Sequence, residues 1–160
     1  MKAFIEWSNA LSVGVKEIDD QHKRLIEMLN ELNDAIHGSW GREARKDIID
    51  RLIEYTREHF ATEENVMSIS GYPDIETHKK QHENLIVMVK NYVKNYEQDP
   101  NASNYDLLFY AASYDLLFFL RRWLIEHIIK NDKALGNYLV KTGPKTGGEK
   151  KSWFSRLFRV

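Results

Sequence analysis

The chain reads as an all-α protein: an up-down-up-down four-helix bundle with an N-terminal extended arm and a C-terminal amphipathic tail. Three observations predict this. Apolar residues recur at offsets of three and four from about residue 19 to residue 139, no segment alternates as a half-buried strand does, and the breaks between periodic stretches are short. A length of 160 residues suits one core, so residues 1–140 are expected to form a single bundle domain.

The segment up to Val15, with Trp7 and the turn-permitting Gly14, reads as an arm laid across the bundle. The first helix is expected from about Asp19, aligning His22, Leu25, Leu29, Leu32 and Ile36 on one face and stopping at Gly38. A second is expected over about residues 42–69, with Ile49, Leu52, Thr56, His59, Glu63 and Met67 on its inner face and Gly71 and Pro73 ending it. Asp74 is the expected N-cap of a third, whose inner face carries His78, His82, Leu85, Val89 and Tyr92 before the loop Asp99-Pro100-Asn101. Ser103 or Asn104 is placed to cap a fourth, along which Leu116, Leu120, Trp123 and His127 recur. Tyr105-Asp-Leu-Leu-Phe109 is echoed by Tyr114-Asp-Leu-Leu-Phe118, and nine residues are two and a half turns, so the copies face opposite sides and some of these aromatics should be exposed.

Composition narrows the chemistry. With no cysteine, disulfides, iron–sulfur clusters and thiolate zinc sites are excluded, and any metal must use nitrogen and oxygen donors. Glu6 interrupts the N-terminus before a signal-type apolar region develops, and no stretch approaches the ~18 apolar residues of a membrane span, so a cytoplasmic protein is expected. The net charge of −1 is uneven: residues 141–160 carry +5, which leaves −6 on the first 140. An acidic body is no candidate for non-specific nucleic-acid binding, and no nucleic-acid partner is expected.

Five of the six histidines and two acids sit where four helices can each aim donors at one centre: His22, His59 with Glu63, His78 with His82, and His127 with Asp132. Residues four apart share a helix face, which makes His59/Glu63 and His78/His82 ready pairs. Five imidazoles and two carboxylates exceed what one metal takes and suit two ions joined by carboxylates. The residue types alone fit iron, zinc, copper or manganese. The five-residue step from His127 to Asp132 leaves the side chains roughly 140° apart on a regular helix, so a π-bulge or break near Lys130-Asn131 is required.

The segments Ile18-Asp-Asp-Gln-His22, His59-Phe-Ala-Thr-Glu-Glu64, His78-Lys-Lys-Gln-His82 and Trp123-Leu-Ile-Glu-His-Ile128 through Asp132 resemble the hemerythrins, particularly their single-domain bacterial members, over roughly residues 4 to 139. The resemblance implies two non-haem irons bridged by Glu63, Asp132 and an oxo or hydroxo group. His78, His82 and His127 would bind one iron, and His22 and His59 the other, which keeps one position open for dioxygen. It also implies an oxygen pocket walled by Leu25, Phe60, Trp123, Leu124 and Ile128, all apolar here. No side chain at those five positions could serve as a catalytic proton donor, so the expected function is reversible oxygen binding as carrier, store or local supplier, with no catalytic residues. The alternatives are a di-iron enzyme reducing peroxide or nitric oxide, and an oxygen or iron sensor module.

Around these donors other residues have plainer readings. His37 reads as a solvent-facing residue at a helix end, and Glu64, about 100° round from Glu63, as a solvated surface acid. Asp19 and Gln21 read as outer partners of the metal-binding imidazoles or as caps. Residues 141–149, with three glycines and a proline, read as a flexible linker, and 150–160 as a basic amphipathic segment with Trp153, Phe154, Leu157 and Phe158 on one face. That segment is expected to be a disordered tail whose aromatics pack loosely on the bundle, or to meet a membrane surface or a protein partner, in a monomer or weak oligomer.

Overall fold

The computed structural model describes residues 2–96, 105–144 and 147–159. Its helices are α1 (Lys16–His37), α2 (Arg42–Ser70), α3 (Ile75–Tyr96), α4 (Tyr105–His127), α5 (Lys133–Thr142) and α6 (Gly147–Leu157), and a π turn over Ile128–Asp132 joins α4 to α5. Among the described residues there is no strand. Helices α1 to α4 pack each against its neighbour in the chain, and α1 closes the ring against α4, the up-down-up-down bundle that short connections favour. Ile18, Leu29, Leu32, Ile36, Ile48, Met67, Leu85, Leu116 and Leu117 fill its centre and are fully buried.

The arm is held rather than loose. Ile5 gives its N–H to Asn30 Oδ1 (2.8 Å) and its carbonyl accepts from Asn30 Nδ2 (2.9 Å). Asp19 takes the Ser12 hydroxyl (2.6 Å) and the Val13 N–H (2.8 Å), so its carboxylate ties the arm to α1 and neither caps the helix nor backs a histidine. α1 begins at Lys16, three residues before the Asp19 start expected from the sequence, because the extended backbone of Val15 (φ −124°, ψ 112°) is the actual boundary. α2 ends as expected at Gly71, whose left-handed φ of +68° suits glycine. Asp74 supplies the carbonyl for the first backbone bond of α3, from His78 N–H at 3.0 Å. Ser103 and Asn104, the expected caps of α4, and the Asp99–Asn101 loop lie outside the described residues.

Of the repeated aromatics, Phe109 is buried while Tyr114 and Phe118 are exposed, as opposite helix faces require. At the C-terminal end, helix occupies Lys141, Thr142 and residues 147–149 within the stretch read as a linker. α6 lies against α2 with Leu157 buried, and the Trp153 ring covers Gly143, where a β-carbon would collide with it. Among the described residues no helix is long and apolar enough to cross a membrane.

Candidate metal centre

His22 comes from α1, His59 and Glu63 from α2, His78 and His82 from α3, His127 from the end of α4 and Asp132 from the π turn, and all seven are buried. The π turn falls where the five-residue offset demanded it. Widening the ladder by one residue brings Asp132 back to the face of His127, with Oδ1 3.0 Å from His127 Nε2.

The donors form two groups that share both carboxylates: Glu63, His78, His82, His127 and Asp132, and His22, His59, Glu63 and Asp132, with donor atoms inside each group within 4.8 Å of one another. Each carboxylate divides its oxygens between the groups. Glu63 Oε1 faces His59 (3.5 Å) and His22 (3.9 Å), while Oε2 faces His82 (3.2 Å) and His78 (3.5 Å). Asp132 Oδ2 faces His22 (2.9 Å), while Oδ1 faces His127 (3.0 Å) and His78 (3.1 Å).

These approaches are close but not aligned as hydrogen bonds. Both nitrogens of His22 and all four oxygens of Glu63 and Asp132 are buried without a hydrogen-bond partner. Buried polar atoms are ordinarily satisfied, and a buried carboxylate left so is costly. In addition, His78 Nε2 and His82 Nε2 sit 3.1 and 3.2 Å from His127 Nε2, so three ring nitrogens converge on one point beside the carboxylates. Cations between the nitrogens and the oxygens would satisfy the unpartnered atoms, so the donor set fits metal.

The charges of the metal-free site follow from the same packing. Burial pushes the His59 imidazole down to about 4, which keeps it neutral with a lone pair to donate. His78 is buried as well, but the carboxylates of Asp132 and Glu63 outweigh that and raise it to about 9. His22 is raised in the same way, chiefly by Asp132 against its burial. Burial works to raise Glu63 and Asp132, and the charge of Asp132 adds to this at Glu63, yet the surrounding imidazoles hold both carboxyls well below their usual range.

Beyond the donors, Gln21 Oε1 accepts from His59 Nδ1 (2.7 Å), one of the two roles the sequence left open for it. Glu64 corrects an expectation: it is no free surface acid, since Oε1 accepts from His82 Nδ1 at 3.0 Å across the α2–α3 boundary. His37 is exposed at its helix end, its Nδ1 2.8 Å from the Asn33 carbonyl.

Of the five predicted pocket residues, Leu25, Phe60, Trp123 and Leu124 line a cavity of about 30 Å³, together with Leu29, Leu52, Thr56, Leu85 and Leu120. Ile128 is fully buried but not on that wall. The hydroxyl of Thr56, the single polar lining side chain, donates to the Leu52 carbonyl (2.7 Å), so the wall is apolar in effect. Sequence reasoning had Thr56 on the inner face of α2 without assigning it to the pocket.

The family model described as the hemerythrin HHE cation binding domain matches residues 13–139. A bacteriohemerythrin of Stenotrophomonas maltophilia is 37% identical over 132 residues, which cover 82% of this chain and 79% of the relative. One from Methylococcus capsulatus is 33% identical over 135 residues, covering 84% of this chain and 95% of the relative. The crystal structure of a wild-type hemerythrin superposes with a TM-score of 0.70 at 31% identity, over 84% of this chain and 97% of that one.

Proposed function

The chain belongs to the hemerythrin family, and from that premise we propose that it binds dioxygen reversibly at a pair of non-haem irons, as a carrier, store or local supplier and not as an enzyme. His78, His82 and His127 would hold one ion, His22 and His59 the other, and Glu63 and Asp132 would each give one oxygen to either. The division of both carboxylates between two histidine groups carries this reading, because a single-ion site has no use for it. Two ferrous ions bound there supply the two electrons that dioxygen binding draws on, and their charge satisfies the buried carboxylates.

The protein's own contribution is exclusion and orientation. Leu25, Phe60, Trp123 and Leu124 would offer the gas an apolar seat on helices that also carry donors, and a cavity of about 30 Å³ has room for little beyond one small molecule. A dry wall keeps water and bulky reductants from the ions. Among its lining residues no acid or amine is present and the one hydroxyl is occupied by Leu52, which favours release of unchanged gas over turnover.

Metal analysis together with absorption spectra before and after deoxygenation tests the proposal. Two irons per chain and a band that appears with oxygen and vanishes without it are expected. Fewer than two irons, or steady consumption of peroxide far above the rate of spontaneous oxidation, overturns it.

The C-terminal helix extends the proposal to location, at the cytoplasmic side of a membrane. Lys150, Lys151 and Arg156 on α6 and Arg159 just after it are exposed while Leu157 is turned into the bundle, so contact with an anionic bilayer would be electrostatic. Flotation with anionic liposomes should recover the full chain and lose a chain ending at Val140. Equal recovery removes this part and leaves the oxygen-binding proposal intact.

A further inference from the structure

Two of the donor histidines, one in each half of the site, have a partner on Nδ1, and the two partners differ. At His59, in the two-histidine half, the partner is neutral and locked in direction. Thr62 gives its hydroxyl proton to the Glu58 carbonyl (3.0 Å), so toward Gln21 it can only accept, and it does so from Gln21 Nε2 at 3.3 Å. That turns Gln21 Oε1 to His59, which must carry its proton on Nδ1 and keep the Nε2 lone pair inward. At His82, in the three-histidine half, the partner is a carboxylate. Glu64 Oε1, 3.0 Å from His82 Nδ1, can only accept, so His82 is held in the same tautomer with a negative charge behind it.

Resting on the di-iron reading above, we infer that Glu64 is a positioning residue that makes His82 a more electron-rich ligand than its counterpart His59. Gln21 fixes the same ring orientation in the other half without the charge. A carboxylate behind a ligating imidazole raises its basicity, and a more basic ligand favours the more highly charged metal. The simpler possibility is a clamp between α2 and α3: the Glu64 side chain is 31% exposed, and pairs that solvent reaches contribute little to stability. A clamp and an electronic role part at the conservative variant, because glutamine at position 64 keeps an acceptor for His82 and removes only the charge.

The full chain, Glu64→Ala, Glu64→Gln and Gln21→Glu are each titrated with cobalt(II) under anaerobic conditions, and the iron-loaded proteins are titrated potentiometrically. Glu64→Ala should weaken one of two cobalt equivalents about 10–100-fold and leave the other unchanged. Glu64→Gln should restore most of that affinity yet raise the midpoint potential, by about 59 mV for each tenfold loss of preference for the oxidised ion. Gln21→Glu should lower it. Equal weakening of both equivalents by Glu64→Ala, or a wild-type potential in Glu64→Gln, leaves Glu64 a mere clamp and overturns the inference while the di-iron reading stands. A wild-type chain that takes up fewer than two cobalt equivalents sinks both.

Discussion

Phe60 lies flat on His82, ring centroids 3.7 Å apart and planes within 4° of parallel. Trp123 covers His127 in the same manner, at 4.4 Å and 13°. Both aromatics also line the apolar cavity, so one ring face shields a donor histidine and the side chain walls the proposed gas seat. Phe60→Leu should therefore bring water nearer to His82 and speed the decay of the oxygenated band in the iron-loaded protein. Phe60→Ala should do so further and also cost about 3–5 kcal/mol of stability, as truncations of buried aromatics do. Unchanged decay in both variants would show that the ring packs the core without protecting the site.

Removing metal should destabilise the fold, since the ions would bind the native chain alone. With free metal at a thousand times its dissociation constant, the contribution is about 4 kcal/mol. Asp132→Ala takes away the oxygens facing His22, His78 and His127, so thermal scans with and without chelator should differ for the wild type and coincide for this variant. A chelator-sensitive melt in Asp132→Ala would place the metal elsewhere.

The metal-free protein should be most stable near neutral pH and lose stability on either side. His78, facing Asp132, Glu63 and His127, has its folded-state value raised from 6.5 to about 9. Its contribution is complete below 6.5 and disappears as pH rises through 9. His59 is depressed to about 4, so protonation favours the unfolded chain as pH falls from 6.5 toward 4. Glu63 and Asp132, depressed as carboxylates, add to the loss at still lower pH. Loaded protein should show no alkaline decline, because deprotonated imidazole is the form that ligates. Denaturant midpoints from pH 5 to 9.5, with and without metal, check the two curves.

How much of this was legible in the sequence depended on whether a signal was carried by one helix. His59/Glu63 and His78/His82 sit four apart, and the impossibility of His127 and Asp132 sharing a regular helix face pointed to the π turn at Ile128–Asp132. Glu64 was misread for the opposite reason. Its position on α2 points it away from the centre, and only the approach of α3 brings His82 Nδ1 within reach. Asp19 was ambiguous because a carboxylate near a helix start can cap it, back a histidine or hold a preceding segment. The arm's path, which periodicity does not encode, decided for Ser12 and Val13. Ile128 faces inward in the stretch after His127, but the π turn changes the phase there, and it packs in the core off the cavity wall.

Gly136 shows how the arm and the site are joined. It lies four residues beyond Asp132 on α5, and a β-carbon built on it would run into the carbonyl of Val13, whose own N–H is held by Asp19. Neither partner has room to yield, since Val13 is bonded in place and Leu135 and Leu139 flank Gly136 in the core. Gly136→Ala should push α5 and the arm apart and destabilise by about 1–3 kcal/mol, the usual cost of overpacking. Displacing α5 also shifts the end of the π turn, so the variant should hold less than the wild-type amount of metal even where it remains folded. Gly41→Ala is the control for steric effect: a β-carbon there meets nothing within 4 Å, so the change should cost at most about 1 kcal/mol, through the weaker N-cap of α2, and leave the metal content unchanged. Urea midpoints and metal content measured on both variants decide the matter, and a Gly136→Ala protein with wild-type stability would show that the arm is not pinned between α1 and α5.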